Sequence, residues 1–143
     1  MRAATALAAA LAWAAACAAG SPPPGHPLIG TWDLTLPQQH CSETYEFKGD
    51  GTRHTVSAAE ESEGEYEVSE APDANGVYTL KDTLTRTNDK PDCGGRVTHL
   101  TAPQTVTLYL APLRGGFLMC FDAELERCLG PMTRLSPPAA HAP

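Results

Sequence analysis

The chain has 143 residues, about the size of one ordinary domain, so a single core is expected. Lys and Arg number 10 against 17 Asp and Glu, a formal charge of −7. Such an acidic body argues against nucleic-acid binding, which draws its affinity from neutralising phosphates, and no basic stripe with interleaved aromatics offsets it.

Residues 1–16 carry Arg2 as their only charge, followed by an alanine-rich apolar stretch with Leu7, Leu11 and Trp13. That is the layout of a secretory signal peptide. A spanning helix needs roughly 20 apolar residues, and Gly20, Ser21 and the prolines at 22–24 end the run first. Ala14-Ala15-Ala16-Cys17 resembles the lipobox of bacterial lipoproteins, in which small residues precede a cysteine that becomes lipidated. The resemblance implies a mature chain that begins at Cys17 and is held at a membrane, facing the periplasm or outer membrane. Cleavage around Ala16-Cys17-Ala18 is the alternative and gives a soluble periplasmic or secreted protein. Either route removes Arg2 and moves the formal charge from −7 to −8. Residues 17–27, with "GSPPPGHP", read as a stiff tether, because proline fixes φ and lacks an amide donor. The tail at 137–143 reads as disordered, which leaves 28–136 as the folded domain.

Within that domain the signal is apolar–polar alternation, the mark of half-buried strands. Trp32, Leu34 and Leu36 alternate with Thr31, Asp33 and Thr35, and Tyr45 and Phe47 alternate with Thr44 and Glu46. Asp50-Gly51 between "ETYEFK" and "TRHTVSA" is a hairpin dipeptide that accepts positive φ. Tyr66 with Val68, then Tyr78 with Leu80 and Leu84, then Val106 with Leu108 and Leu110 mark further faces. "GGFLMCFDAE" and "RCLGPMTRL" complete the set. The pattern predicts an all-β fold: about eight short antiparallel strands that must close or sandwich to hide their edges.

Of five cysteines, lipidating or discarding Cys17 leaves Cys41, Cys93, Cys120 and Cys128, an even set suited to an oxidising compartment. Four cysteines allow three pairings and the sequence alone does not choose. Proximity in the chain favours Cys120 with Cys128, and therefore Cys41 with Cys93. His40 stands beside Cys41, but no CxxC or paired-histidine spacing accompanies it, so no metal is expected. The acidic stretch "EESEGEYE" lacks the ligand spacing of a calcium loop, and Glu63, Glu65 and Glu67 alternate with Tyr66 and Val68 as a solvated outer face would.

No catalytic motif appears: no G-x-S-x-G elbow, H-E-x-x-H, P-loop or G-x-G-x-x-G after a strand. His54 and His99 lie in strand-like segments beside threonines, and Glu43 and Glu46 sit an odd number of positions apart, facing opposite sides of one strand. Neither an enzyme nor a cofactor is expected.

"LIGTWDL" at 28–34 resembles the G-x-W opening of lipocalins, and "YEFKGDGT" at 45–52 is similar to the second-strand hairpin of small bacterial lipocalin-like proteins. The resemblance implies a lipocalin-like β-barrel in which Arg134, near the end of the last strand, packs on Trp32 and closes the barrel bottom. "GTWDLTLPQQHC" also resembles the opening of small periplasmic barrels that inhibit metalloproteases. That likeness implies an N-terminal trunk, here "SPPPGHP", inserted into a protease cleft. Barrel lipoproteins that inhibit lysozyme are a related possibility, since an acidic surface suits a basic target.

The first expectation is therefore an exported binding protein, anchored through a lipid on Cys17. A small apolar ligand would sit among Tyr45, Phe47, Tyr66, Tyr78, Leu108 and Phe117, although the same side chains could instead fill a closed core. Inhibition of a protease or lysozyme through loops, with "APDANG" at 71–76 as one exposed turn, is the alternative. A structural role in the envelope is the third.

Overall fold

The computed structural model describes residues 21–136, so the signal segment, Cys17 and the tail lie outside it. Eight strands run in chain order: β1 (Gly30–Leu36), β2 (Cys41–Phe47), β3 (Thr52–Ser57), β4 (Glu60–Val68), β5 (Tyr78–Thr87), β6 (Gln104–Leu113), β7 (Gly116–Cys120) and β8 (Cys128–Ser136). Each pairs antiparallel with the next, and β8 returns to β1, closing the sheet into a barrel with no free edge. A short 3₁₀ turn at Pro37–Gln39 separates β1 from β2. The all-β expectation holds.

The alternation sorts inside from outside as the period of two requires. Trp32, Leu34, Phe47, Tyr66, Leu80, Leu110 and Met132 are buried in one contiguous core. Glu61, Glu63, Glu65 and Glu67 are exposed on the outer face of β4, where Arg86 pairs with Glu63. In the β2–β3 hairpin Gly51 takes φ +85°, and Asp50 Oδ1 accepts the Thr52 amide at 2.9 Å and its hydroxyl at 2.6 Å. His99 differs from expectation: it lies in the loop 88–103, not in a strand, with Nδ1 2.9 Å from Asp89 Oδ1.

The up-and-down order sends alternate loops to opposite ends. One end, the mouth, carries the turn 58–59 and the loops 88–103 and 121–127. It also holds both disulfides, Cys41–Cys93 and Cys120–Cys128. The other end, the base, carries the turns 48–51, 69–77 and 114–115, together with the segment that leads into β1.

That lead-in is not the tether its prolines predict. Pro22, His26 and Leu28 are buried. Two successive turns, His26 N–H to the Pro23 carbonyl and Ile29 N–H to the His26 carbonyl (both 3.0 Å), fold it across the base. Proline is unsuited to a strand interior, yet its fixed φ suits turns. Nor is the lead-in a free trunk: with Pro22 and His26 buried at the base, "SPPPGHP" is not an extended arm.

His26 is the buried titratable group that links this lead-in to pH. Its Nδ1 accepts the Leu28 amide at 3.1 Å, so Nε2 carries the hydrogen and donates to the Ser69 carbonyl at 3.1 Å. The ring meets Tyr78 edge-on at 5.0 Å. Burial holds its pKa below the ordinary imidazole value, outweighing the Ser69 hydrogen bond, which pulls the other way. The unfolded chain therefore binds a proton near pH 6.5 that the folded chain refuses, and stability falls as pH drops below about 6.5. Urea titrations at pH 7 and pH 5 should show a larger loss for the wild type than for His26→Asn, which keeps an acceptor but does not titrate.

Candidate functional site

The interior has two storeys. Toward the base it is filled: Phe47 meets Tyr66 edge-on at 5.1 Å, and the Tyr66 hydroxyl donates to the Lys48 carbonyl at 2.6 Å. Trp32 meets Phe117 edge-on at 4.7 Å and donates Nε1–H to the Leu28 carbonyl at 2.8 Å. Arg134 Cζ stands 4.1 Å from the Trp32 ring centroid. The guanidinium also donates to the Ile29 carbonyl at 2.8 Å and to the Pro27 carbonyl. A small pocket of about 80 Å³ remains beside His26, Leu28, Tyr78 and Phe117.

Toward the mouth the interior opens into a cavity of about 340 Å³. Its walls differ. On the side of β6–β8 and the loop after β7 it is lined by Val106, Leu108, Met119, Phe121 and Leu129. On the side of β2–β5 it is lined by Glu43, Tyr45, Arg53, Thr55, Ser57 and Asp82, with Glu60 and Ser62 level with Ser57 and Thr55 on the neighbouring strand. Asp92, Arg96 and Thr98 reach in from the loop 88–103.

The charged wall is ordered by its own hydrogen bonds. Arg53 Nε donates to Asp82 Oδ1 at 2.8 Å, with side chains only 6% and 16% exposed. Arg53 Nη1 donates to Thr55 Oγ1 at 2.6 Å and to Ser62 Oγ at 3.5 Å. Room for this guanidinium is made by Gly64, opposite Arg53 in the register: a Cβ there would stand 2.8 Å from Arg53 Nη2 and 2.7 Å from the Thr83 carbonyl oxygen. Glu43 accepts from the Tyr45 hydroxyl and from Ser57 Oγ, both at 2.6 Å. Ser57 Oγ in turn accepts the Cys93 amide at 3.0 Å, joining the covering loop to the cavity carboxylate.

Electrostatics follow from this packing. Burial, and then the charge of Glu43 beside it, pushes the Tyr45 hydroxyl up, so it stays a donor. Glu60 is raised by burial first, then by its neighbours Asp92 and Glu43. Both guanidiniums in the lining are engaged, Arg53 with Asp82 and Arg96 with Asp92 at 3.7 Å. Carboxylates outnumber them, and among the described residues no side chain forms an ion pair with Glu43 or Glu60.

The six residues expected to line an apolar site are divided. Tyr45 and Leu108 line the mouth cavity, Tyr78 and Phe117 the small base pocket, and Phe47 and Tyr66 belong to the filled core. The uniformly apolar lining is replaced, on one side, by a charged network the sequence reading did not single out. Its signal was parity: Asp82 falls between Leu80 and Leu84 on the inward face of β5. The described residues hold no group of His, Cys, Asp and Glu suited to a metal ion.

No protein-family model matches the chain, and comparison with curated proteins and with solved structures finds no match. The chemistry of the cavity is therefore the ground for its function.

Proposed function

We propose that this is an exported, lipocalin-like binding protein that takes one small amphiphilic molecule into the mouth cavity. The apolar part of the ligand rests on Val106, Leu108, Met119 and Phe121, and its protonated amine faces Glu43 and Glu60. The observation that carries this reading is the two-faced lining of a cavity of about 340 Å³, a size within the range of small-molecule sites. A cation is favoured over an anion because the guanidiniums are already neutralised by Asp82 and Asp92, whereas Glu60 repels Glu43 and Asp92. A purely apolar ligand would strip water from that wall without replacing its hydrogen bonds.

Both disulfides are consistent with an oxidising compartment, and the lipobox-like Ala14–Cys17 supports an anchored form. Ser21 lies at the base, its hydroxyl donating to the Asp50 carbonyl at 3.1 Å. A lipid on Cys17 would thus hold the end opposite the mouth, leaving the cavity facing away from the membrane.

Calorimetric titration of the mature chain with three probes that share a phenethyl group tests the reading: phenethylamine, phenethyl alcohol and 3-phenylpropionate. The amine should bind about tenfold or more tighter than the alcohol, and Glu43→Gln with Glu60→Gln should remove that preference. Tighter binding of the acid, or equal binding of all three, would overturn it.

A further inference from the structure

We propose that the Cys41–Cys93 disulfide is a redox latch on the loop 88–103, and that a dithiol reductant opens the mouth without unfolding the barrel. The loop is a compact unit of its own. Asp92 Oδ1 accepts the Gly94 and Arg96 amides at 2.8 and 2.9 Å, the Asp92 amide donates to the Arg96 carbonyl at 2.9 Å, and Pro91 bridges Val97. These bonds hold the loop's shape, not its position.

Few ties hold its position. The Asn88 amide donates to the Glu61 carbonyl and its side-chain Nδ2 to the Ala59 carbonyl, both at 3.0 Å, Thr87 Oγ1 donates to the Thr98 carbonyl at 2.8 Å, and the Cys93 amide to Ser57 Oγ. Val97, the large apolar side chain near its tip, is 41% exposed, so apolar burial adds little at the tip; Leu100, toward β6, is half-buried. The disulfide, joining residues 52 apart in sequence, is the covalent tie between the loop tip and the start of β2.

The two disulfides are not equivalent toward a thiol. Cys120 is fully buried and the Cys128 sulfur half-buried, and the two pair in register across adjacent strands, so ladder hydrogen bonds keep those sulfurs together even when reduced. Cys41 and Cys93 are both partly exposed at the mouth, and nothing but the loop's few ties would keep their sulfurs in place. Thiol–disulfide exchange needs access to a sulfur along the S–S axis, which favours this pair. A thiolate of the dithiol attacks one sulfur to give a mixed disulfide. The second thiol of the reductant then closes onto the first, leaving the reductant as a cyclic disulfide and Cys41 and Cys93 as two thiols. With the latch released, Asp92, Arg96 and Thr98 leave the cavity lining together.

The effect on ligand exchange rests on the binding reading above, whereas the latch itself is read without a ligand. The folded mature chain is treated with graded dithiothreitol, trapped with N-ethylmaleimide and mapped by mass spectrometry, with hydrogen exchange followed in parallel. The expected result is labelling of Cys41 and Cys93 while Cys120–Cys128 stays closed. Amides of residues 88–98 should then exchange about tenfold faster with the strand amides unchanged. The Cys41→Ser/Cys93→Ser double variant should show the same local exchange in the absence of reductant. Labelling of all four cysteines together, or selective reduction that leaves the loop amides as protected as before, would overturn the latch. If those results stand but phenethylamine does not bind, the binding reading fails and the latch survives.

Discussion

Asp82→Ala is expected to destabilise the barrel by about 3 to 5 kcal/mol, the cost of leaving a buried charge without its partner. The stranded charge is Arg53, 6% exposed, whose Nε would lose its acceptor at 2.8 Å while the chain on either side keeps it inside the wall. Nothing nearby replaces the carboxylate, because Glu43 is already taken up by Tyr45 and Ser57. Exchanging both members, Arg53→Met with Asp82→Leu, should recover most of that loss, since a well-packed apolar pair escapes the desolvation that the ion pair suffers. Guanidinium denaturation of the three proteins checks this. A double variant as unstable as Asp82→Ala alone would mean that packing around Gly64, and not the charge, sets the cost. The same double variant should keep its preference for the amine, because it removes a neutral pair and leaves Glu43 and Glu60 in the wall, which separates the wall's part in stability from its role in binding.

The second large effect is expected at the base, where Trp32→Ala should cost about 3 to 5 kcal/mol as a cavity-forming substitution. Trp32 joins three layers: the lead-in through the Leu28 carbonyl, the core through Phe117, and the last strand through Arg134. Trp32→Phe should keep much of the packing and lose the hydrogen bond to Leu28, so its cost should fall well below that of alanine. If thermal unfolding ranks the two variants equally, the indole nitrogen rather than the ring is what holds the base.

Much of the barrel was legible because most of its inward positions are apolar and most outward ones are polar. Trp32 and Leu34, and Tyr66, each stand out from polar neighbours, and Glu61, Glu63, Glu65 and Glu67 of β4 fall outside as their alternation requires. The mouth was less legible for the same physical reason. In β3 the pattern is inverted: Arg53, Thr55 and Ser57 are buried while Val56 is only half-buried on the outer face. A charged residue on an inward position is tolerated only with a partner, and Arg53 finds its partner 29 residues away on β5, a pairing that local periodicity does not encode. The lead-in was misread on composition, because three prolines mark a chain that is neither helix nor strand without saying whether it is packed. Cysteine spacing did better, since proximity in the chain is itself the constraint that joins Cys120 to Cys128.

Seven of the eight strand pairings join neighbours in the chain, and the eighth joins the first strand to the last, with Trp32 opposite Arg134. That eighth pairing is a seam. Until it forms, β1 and β8 each present an open edge, and loop-closure entropy makes it the most demanding contact to find. Two half-formed copies can satisfy those edges with each other, a strand exchange that yields dimers and longer chains instead of rings. The stack of Arg134 on Trp32 acts against that outcome by rewarding closure within one chain, where the lead-in carbonyls of Pro27 and Ile29 are already at hand to receive the guanidinium.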